Sequence, residues 1–414
     1  MKAIKQFILA LVRKAGYRIV SESGLSAREQ QWIDTANRLK QAERQLNDLR
    51  QRLRAAKLVP DMAAAGAAET EPQNVGSGPQ RRRERLPIVE GLLAILDAKA
   101  HFIVLDAGAR EAHRDPRWRI LGTERLSIRG FEPNQDECRR LNDEAAALGY
   151  DYKYYPIGLW DEAGTIPFED NMAGGGSSFL RQNRLVTDRW KFENPHAVSL
   201  ARDMFRPVQM IDVKTISVEQ WAKDNGIGDL DFAKLNVQGA ELKILETFGD
   251  RLSDVVGVLS EVSFVDSYVD RPFFADVDQF LRDRGFTFFD IVAHHHIGRA
   301  DSPVAAQHLE WNERQFSGLV SVMGQLVEGH ALYLRDPIDM ELRGIDTQHF
   351  TTTKLMKLIC VAEIFGQIEY AFELFKWLTT RLRQQGDLVL ANTLEGARDR
   401  AAGIYREVHS REPQ

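Results

Sequence analysis

The feature that most constrains the fold is a regular alternation of short apolar runs with helical segments between about residues 86 and 335. Seven of these runs have the length and the β-branched or aromatic character of buried strands. They are FIVL (102–105), LSIRGF (126–131), DYKYYPI (151–157), DFAKLNV (231–237), VVGVLSEVSF (255–264), FTFFDI (286–291) and ALYLR (331–335). Strands that alternate with helices predict an α/β fold, with a mostly parallel, Rossmann-like sheet of seven strands and helices on both faces.

Two N-terminal segments precede this domain, which we place at residues 87–336. Residues 1–24 form a basic amphipathic pattern. We expect that helix either to dock on protein or to contact an anionic membrane surface through residues 1–20. Residues 26–57 repeat apolar side chains every seven positions, which predicts a coiled coil and hence a homo-oligomer. The alternative for this segment is a single amphipathic helix packed on the domain.

The remaining segments differ in composition from the domain. Residues 58–86 lack apolar periodicity and predict a disordered linker. Residues 337–414 carry amphipathic helical patterns, so we expect a C-terminal helical module or a lid.

Charge and cysteine content narrow the class of protein. A net charge of -6 gives no general attraction to phosphate backbones, so nucleic acid is not expected as a partner. Two cysteines, Cys138 and Cys360, cannot form a disulfide framework and suit a reducing compartment. The apolar run at 7–12 is too short for a secretory signal or a membrane span. The protein is therefore predicted to be cytoplasmic, with peripheral contact at the inner face of the membrane as the alternative.

Polar residues follow the first two predicted strands. Asp106 and Gly108 lie in the turn LDAGAREA, where small residues let a cofactor approach the backbone. Glu132 ends the second strand, where a carboxylate can accept hydrogen bonds from two ribose hydroxyls. These positions suggest a nucleoside-type cofactor. An NAD-dependent oxidoreductase is disfavoured because the glycine pattern G-x-G-x-x-G is missing from this turn.

Several blocks then occur in a specific order: GFEPNQDECRRLN, YYPIGLWDEAGTIPFE, GGSSFL, TISVEQW, FAKLNVQGAELKIL, LSEVSF with DSYVDRPFFADVDQFLRDRGF, and GHALYLRD. Over roughly residues 100–336 this series resembles the FkbM-type methyltransferase family. The resemblance implies the class I methyltransferase fold and S-adenosylmethionine as the cofactor. It also implies O-methylation of a hydroxylated small molecule or glycan, such as a sugar or a glycan precursor.

The resemblance assigns a part of the cofactor to each strand end. Asp106, Gly108 and Ala109 would face its methionine part, and Glu132 its ribose. The adenine would border Ile157 and Gly158, and Asn236 would lie beside the transferring methyl group. Together these positions predict a cleft for a sulfonium nucleoside at one edge of the sheet.

Methyl transfer to a hydroxyl also needs a group that takes the proton. Glu261, at the end of the fifth predicted strand, is the first candidate for this base or for positioning the acceptor, followed by Lys234 and Glu241. Each of the latter two has an alternative. Lys234 could pair with a carboxylate, and Glu241 could stabilise the first turn of its own helix.

Two residues depart from the family pattern. Asn236 stands where the family usually has aspartate, and Ala112 where it has glycine. Asparagine cannot take a proton at neutral pH, so a catalytic role for this position is in doubt. The departures motivate a second hypothesis, in which a catalytically weakened methyltransferase fold acts as a binding or scaffolding module.

A run of histidines and a stretch rich in glycine and serine could also border the site. The run His294 to His296 invites a metal interpretation, but adjacent side chains on a strand point to opposite faces. We therefore expect no metal site there and interpret the run as a polar loop, from which one histidine could reach the acceptor. The stretch AGGGSSFL (173–180) predicts a mobile loop that closes over the substrate.

Overall fold

The computed structural model describes residues 85–109, 116–172, 174–194, 197–302 and 324–410. The predicted basic helix at 1–24, the coiled coil at 26–57, nearly all of the linker at 58–86, and Ala112 lie outside the described residues.

The described residues form strands and helices with the following bounds. The strands are β1 (Phe102–Ala107), β2 (Leu126–Phe131), β3 (Asp151–Tyr155), β4 (Gly158–Leu159), β5 (Gly164–Asn171), β6 (Trp190–Asn194), β7 (Ala197–Leu200), β8 (Pro207–Ile216), β9 (Phe232–Leu235), β10 (Gly257–Ser263), β11 (Phe286–Arg299) and β12 (Gln325–Arg335). The helices are α1 (Pro87–Leu93), α2 (Gln135–Leu148), α3 (Arg184–Thr187), α4 (Ala201–Met204), α5 (Val218–Asp224), α6 (Glu241–Glu246), α7 (Phe274–Arg282), α8 (Pro337–Leu342), α9 (Thr352–Ile364), α10 (Ile368–Gln384) and α11 (Leu388–Ser410).

The main sheet has the strand order β3-β2-β1-β9-β10-β12-β11-β6-β7. The first five strands of this order are parallel to one another. Strand β12 runs antiparallel between β10 and β11. All seven strands predicted from the sequence lie in this sheet, which confirms the α/β fold. Strands β6 and β7 extend the sheet at one edge, and β4, β8 and β5 form a second, smaller sheet that the sequence did not predict.

Helices cover both faces of the main sheet because its central strands are apolar on both sides. On β1, Val104 packs with the cluster that includes α1, α2 and the C-terminal helices. The next residue, Leu105, points the other way and packs with the cluster that includes α5, α6 and α7. Neighbouring residues of a strand thus enter different cores, as the two-residue period of a strand requires. None of the described helices is both long and apolar enough to cross a membrane.

The C-terminal helices share the core of the sheet. Every residue of α9 from 354 to 364 is buried. Its Lys354 and Lys357 each donate to the buried carboxylate of Asp231, at 2.7 Å, just before β9. The carboxylate of Glu363 accepts from the amides of Ile88 and Val89. These amides belong to the first turn of α1, where backbone donors have no partner within the helix. Helix α9 is therefore an internal layer of the domain.

Two predicted loops differ from the structure. The run His294 to His296 belongs to β11, so the loop prediction for it was wrong. The strand continues through these residues because β12 extends far enough to pair with them, for example His295 with Glu328. In the other stretch, Ser178 is buried and exchanges two backbone hydrogen bonds with Glu169, which anchors a segment predicted to be mobile.

Candidate functional site

A row of polar side chains crosses one face of the sheet near the carboxyl ends of its parallel strands. Asp106 on β1 pairs in register with Lys234 on β9. Glu261 on β10 lies two residues beyond Leu259, the register partner of Lys234, and itself pairs with His330 on β12. Because paired residues and residues two apart point to the same face, these side chains form one continuous row.

The row begins with an ion pair between β1 and β9. The Nζ atom of Lys234 lies 2.9 Å from Oδ1 of Asp106 and donates to the carbonyl oxygen of Gly108 at 3.2 Å. The pairing of Lys234 with a carboxylate, which the sequence left open, is what the structure shows. Gly108 has a φ of +78°, and a Cβ atom there would lie 1.9 Å from the carbonyl oxygen of Asn236. Only glycine permits this close approach of the two strand ends.

Glu132 follows β2 directly. It is buried, and its Oε1 accepts from the amide of Asn134 at 2.8 Å. The strand order β2-β1-β9 places the ends that carry Glu132, Asp106 and Asn236 next to one another. The three strand ends predicted to form the cleft are therefore adjacent at the carboxyl edge of the sheet.

Three further predicted cofactor residues lie nearer the core. The side chain of Ala109 is buried and faces Gly130 on β2. Ile157 packs at the margin of the core, and Gly158 lies in β4, where the ring of Phe179 occupies the space that a Cβ atom would need. Ala109 and Gly158 thus allow close packing of their neighbours.

A tight turn joins β9 to α6. Gln238 has a φ of +58°, an uncommon conformation for a residue other than glycine. The carboxylate of Glu241 accepts from the amides of Val237 and Gly239, both at 2.9 Å, and the hydroxyl of Ser178 donates to the carbonyl of Gln238 at 2.8 Å. Burial raises the pKa of Glu241. Glu241 therefore holds the turn that presents Gln238.

Glu261 lies inside the protein. Its Oε1 accepts from Arg271 at 2.8 Å, and each of these side chains is 1% exposed. Its Oε2 accepts from Nε2 of Gln238 at 2.8 Å. Burial and the carboxylates of Glu328 and Glu241 raise the pKa of Glu261, and Arg271 acts against them. Both oxygens of this carboxylate are thus bonded to donors of the protein.

The row ends in two histidines that the structure brings together. Nδ1 of His295 lies 2.8 Å from Oε1 of Glu328, and the rings of His295 and His330 are 5.7 Å apart. Nε2 of His330 lies 3.4 Å from the amide nitrogen Nδ2 of Asn236. Glu328, His330 and Arg271 were not among the predicted site residues. The run VEGHALYLR offered a signal, because Glu328 and His330 are two apart just before the strand predicted at 331–335.

Residues 106–288 match the family model of the methyltransferase FkbM domain. This stretch is an FkbM methyltransferase domain. It contains the turn after β1, the end of β2, the turn after β9, and Glu261 with Arg271. The family expected from the sequence blocks is therefore confirmed for this stretch. No curated protein matches the chain.

Solved structures show only distant similarity. The methyltransferase FkbM of Methylobacillus flagellatus KT is 10% identical with a TM-score of 0.30, over 57% of this chain and 44% of that chain. The precorrin-6y C5,15-methyltransferase of Geobacter metallireducens GS-15 is 9% identical with a TM-score of 0.27, over 63% and 95% of the two chains. A SAM-dependent methyltransferase of Aquifex aeolicus is 11% identical with a TM-score of 0.24, over 60% and 92%. The chain thus spans less than half of the first of these proteins, and similarities this low contribute nothing to the assignment.

The two histidines of the row, His295 and His330, have pKa values shifted in opposite directions. Burial lowers the pKa of His295, but the hydrogen bond and the charge of Glu328 outweigh it, so the pKa is raised. Burial raises the pKa of Glu328, yet the bond from His295 and its charge lower it overall. Burial, His295 and Lys234 lower the pKa of His330 to about 4. At neutral pH, His330 is therefore the uncharged imidazole of the row.

The donor set at the carboxyl edge of the FkbM domain fits S-adenosylmethionine. That molecule carries a sulfonium and an ammonium group, a carboxylate and two ribose hydroxyls. The buried carboxylates of Asp106 and Glu132 suit the cations and the hydroxyls, and the ammonium of Lys234 suits the carboxylate. Among the described residues, no group of three or more His, Cys, Asp or Glu side chains is arranged to hold a metal ion.

Proposed function

We propose that the FkbM domain is an S-adenosylmethionine-dependent O-methyltransferase that acts on a hydroxyl of a sugar, a glycan precursor or a related metabolite. The methyl donor is S-adenosylmethionine, and when bound it supplies an electrophilic methyl group on a sulfonium sulfur. The observation that carries the proposal is the continuous polar row. It links the ion pair of Asp106 and Lys234 to the uncharged amide and imidazole of Asn236 and His330.

The two ends of the row have different chemistry. At one end, Asp106, Lys234 and Glu132 supply charged groups that would bind and orient the cofactor. At the other end, Asn236 and His330 supply one hydrogen-bond donor and one acceptor, which suits a neutral hydroxyl. A carboxylate acceptor has no proton to donate to an imidazole. The choice of a sugar or glycan rests on the family resemblance.

The oligomeric state, the location and the partners of the protein stay predictions. A coiled coil at 26–57 would make the protein a homo-oligomer, and a cytoplasmic location agrees with its two cysteines. Any membrane contact would involve residues 1–20. Nucleic acid is not expected as a partner.

Calorimetric titration of the full chain with S-adenosylmethionine tests the cofactor half of the proposal. We expect binding that weakens about 10- to 100-fold in Glu132→Gln, because one charged hydrogen-bond acceptor is lost. Glu144→Gln on α2, whose partner Arg140 is on the surface, is the matched control and should bind like the wild type. Absence of binding to the wild type would instead favour a binding or scaffolding module.

Transfer of a labelled methyl group tests the acceptor half. The full chain is incubated with methyl-labelled cofactor and a panel of free sugars, oligosaccharides, phenols, carboxylic acids, lipids and proteins. Labelled products are then treated with mild base, which releases methanol from esters and leaves ethers intact. We expect base-stable label on a sugar or glycan. Base-labile label, or label on lipid or protein alone, contradicts the proposed substrate class.

A further inference from the structure

A chain of hydrogen bonds connects the buried pair of Arg271 and Glu261 to His330. Nε2 of Gln238 donates to Oε2 of Glu261 at 2.8 Å and to Oδ1 of Asn236 at 3.1 Å. Nδ2 of Asn236 then faces Nε2 of His330 at 3.4 Å. The contacts of Gln238 with Glu261 and of Asn236 with His330 join distant segments, so the tertiary fold determines them, while the contact between Gln238 and Asn236 lies within the turn after β9.

The polarity of this chain is set at its buried end. Arg271 has no acceptor atom, so the oxygen of Glu261 that faces it must accept. The other oxygen accepts from Gln238, whose NH2 group points towards Glu261 in the structure. The second hydrogen of that NH2 group goes to the carbonyl oxygen of Asn236, which leaves the NH2 group of Asn236 towards His330.

This polarity selects one form of His330. Because Asn236 presents a donor, Nε2 of His330 must accept and its proton lies on Nδ1. The form with both nitrogens protonated has no lone pair for Asn236.

The charged groups around His330 favour the same uncharged form. They are Lys234 on β9, His295 on β11, Glu328 on its own strand and Arg117 on the 3-10 helix at Pro116–Leu121, and Glu261 lies opposite on β10. Lys234, His295 and Arg117 oppose a positive charge on His330, and Glu328 favours one. Burial and the groups that oppose the charge outweigh Glu328, so the pKa of His330 is lowered. The electrostatics therefore favours the same uncharged form that the hydrogen-bond geometry selects.

We propose that Nε2 of His330 takes the proton of the acceptor hydroxyl, and that Asn236, held by Gln238 and Glu261, keeps that nitrogen unprotonated for the task. This inference rests on the proposed function. When the acceptor binds, its hydroxyl replaces the direct contact between the two side chains: the hydroxyl oxygen accepts from Nδ2 of Asn236 and the hydroxyl hydrogen is donated to Nε2 of His330. The hydroxyl oxygen attacks and forms a bond to the methyl carbon. The carbon–sulfur bond breaks with its electron pair going to sulfur, and the hydroxyl proton goes to Nε2 of His330.

The predicted catalytic carboxylates receive other roles under this proposal. Glu261 is 1% exposed on its side chain and both its oxygens are bonded, so it is a positioning residue that acts through Gln238. Glu241 has both oxygens on the turn amides. His330 is half-buried, whereas Glu261 is almost wholly buried.

Asparagine at position 236 now has a specific purpose. An aspartate there would present an oxygen that only accepts, so Nε2 of His330 would have to carry a proton. The added negative charge would also favour the imidazolium form. The departure from the family pattern therefore maintains a basic nitrogen in place of a basic carboxylate.

Nuclear magnetic resonance of 15N-histidine-labelled full chain tests the tautomer without any substrate. His330→Ala identifies the His330 signals by their loss, and His349→Ala is the control, because His349 is exposed and lies just before α9, outside the row. We expect protonated Nδ1 and bare Nε2 in the wild type near pH 7. In Asn236→Asp we expect a protonated Nε2 and a titration midpoint about 1 to 3 pH units higher. A protonated Nε2 in the wild type overturns the proposal.

The transfer assay tests the role of His330 with whichever acceptor of the panel is labelled. We expect His330→Ala to lower the transfer rate about 100-fold or more at saturating cofactor, with partial rescue by added imidazole. Cofactor binding by calorimetry should be unchanged in this variant, and His349→Ala should transfer at the wild-type rate. Asn236→Asp should shift the pH–rate profile in parallel with the titration of His330.

The outcomes separate the two levels of inference. If the wild type transfers methyl groups and His330→Ala does so at the same rate, the role of His330 is wrong and the proposed function stands. If the wild type neither binds the cofactor nor transfers methyl groups, the proposed function fails and the role of His330 with it, whatever the tautomer.

Discussion

The guanidinium of Arg271 donates a hydrogen bond of 2.8 Å to the carboxylate of Glu261, and each side chain is 1% exposed. This pair is the buried origin of the hydrogen-bond chain that ends at His330. An ion pair so deep costs much desolvation, and removal of one partner leaves the other charge uncompensated. The pair therefore couples the stability of the domain to the arrangement of its site.

Arg271→Leu should lower the free energy of unfolding by about 3 to 5 kcal/mol, because Glu261 would be left buried without its cation. Urea denaturation followed by circular dichroism measures the loss. The control is Arg282→Leu, since Arg282 forms a surface pair with Asp278 at 2.7 Å and is 50% exposed. It should cost at most about 1 kcal/mol. Equal losses for the two variants would show that the buried pair has no special weight.

Gly108→Ala should destabilise the domain and weaken cofactor binding, because its methyl group would push the carbonyl of Asn236 away from β1. Gly344→Ala is the matched control, since Gly344 has a similar φ of +73° but open space around it. Both variants carry about 1 to 2 kcal/mol of backbone strain, so a larger loss at Gly108 measures the clash. Urea denaturation and calorimetry check both effects. Losses of the same size would contradict the close approach of the strand ends.

Asp231→Leu should lower the free energy of unfolding by about 3 to 5 kcal/mol, because two buried ammonium groups would lose their shared acceptor. The control removes a different partner of Lys354. Asp229 lies 2.5 Å from Lys354 but is 48% exposed, so Asp229→Leu should cost about 1 kcal/mol or less. A small effect of Asp231→Leu in urea denaturation would mean that α9 does not depend on this contact with the sheet.

Stability should depend on pH through the pair of His295 and Glu328. The raised pKa of His295 contributes stability that is fully present below 6.5 and is lost as pH rises through the raised value. The lowered pKa of Glu328 contributes stability that is present above 4.5 and is lost as pH falls. The difference in unfolding free energy between the wild type and Glu328→Gln should therefore be largest between pH 4.5 and 6.5.

Urea denaturation across that pH range and up to about pH 9, well above the ordinary histidine pKa, measures the difference. Glu144→Gln, which weakens a surface pair with Arg140, should differ from the wild type by a small and nearly constant amount. A difference for Glu328→Gln that grows as pH rises from 6.5 would show that His295 is not charged by this pair.

The sequence by itself determined the seven strands of the sheet, the strand ends at Asp106 and Glu132, and the turn after β9. Apolar periodicity is a local property, and a polar residue that ends an apolar run marks the carboxyl end of its strand. The order of the blocks also indicated the family. The loop prediction for the run His294 to His296 was wrong, because the strand character of this run comes from pairing with β12 and not from its own residues.

Only the tertiary structure decided which polar groups meet. Lys234 and Asp106 are 128 positions apart, and Asn236 and His330 are 94 apart, yet each pair is in contact. No local pattern encodes such a contact, because strand order and register between distant segments depend on packing of the whole sheet. The same packing buries Glu261 against Arg271, so a carboxylate that looks catalytic in the sequence becomes the fixed end of a hydrogen-bond chain.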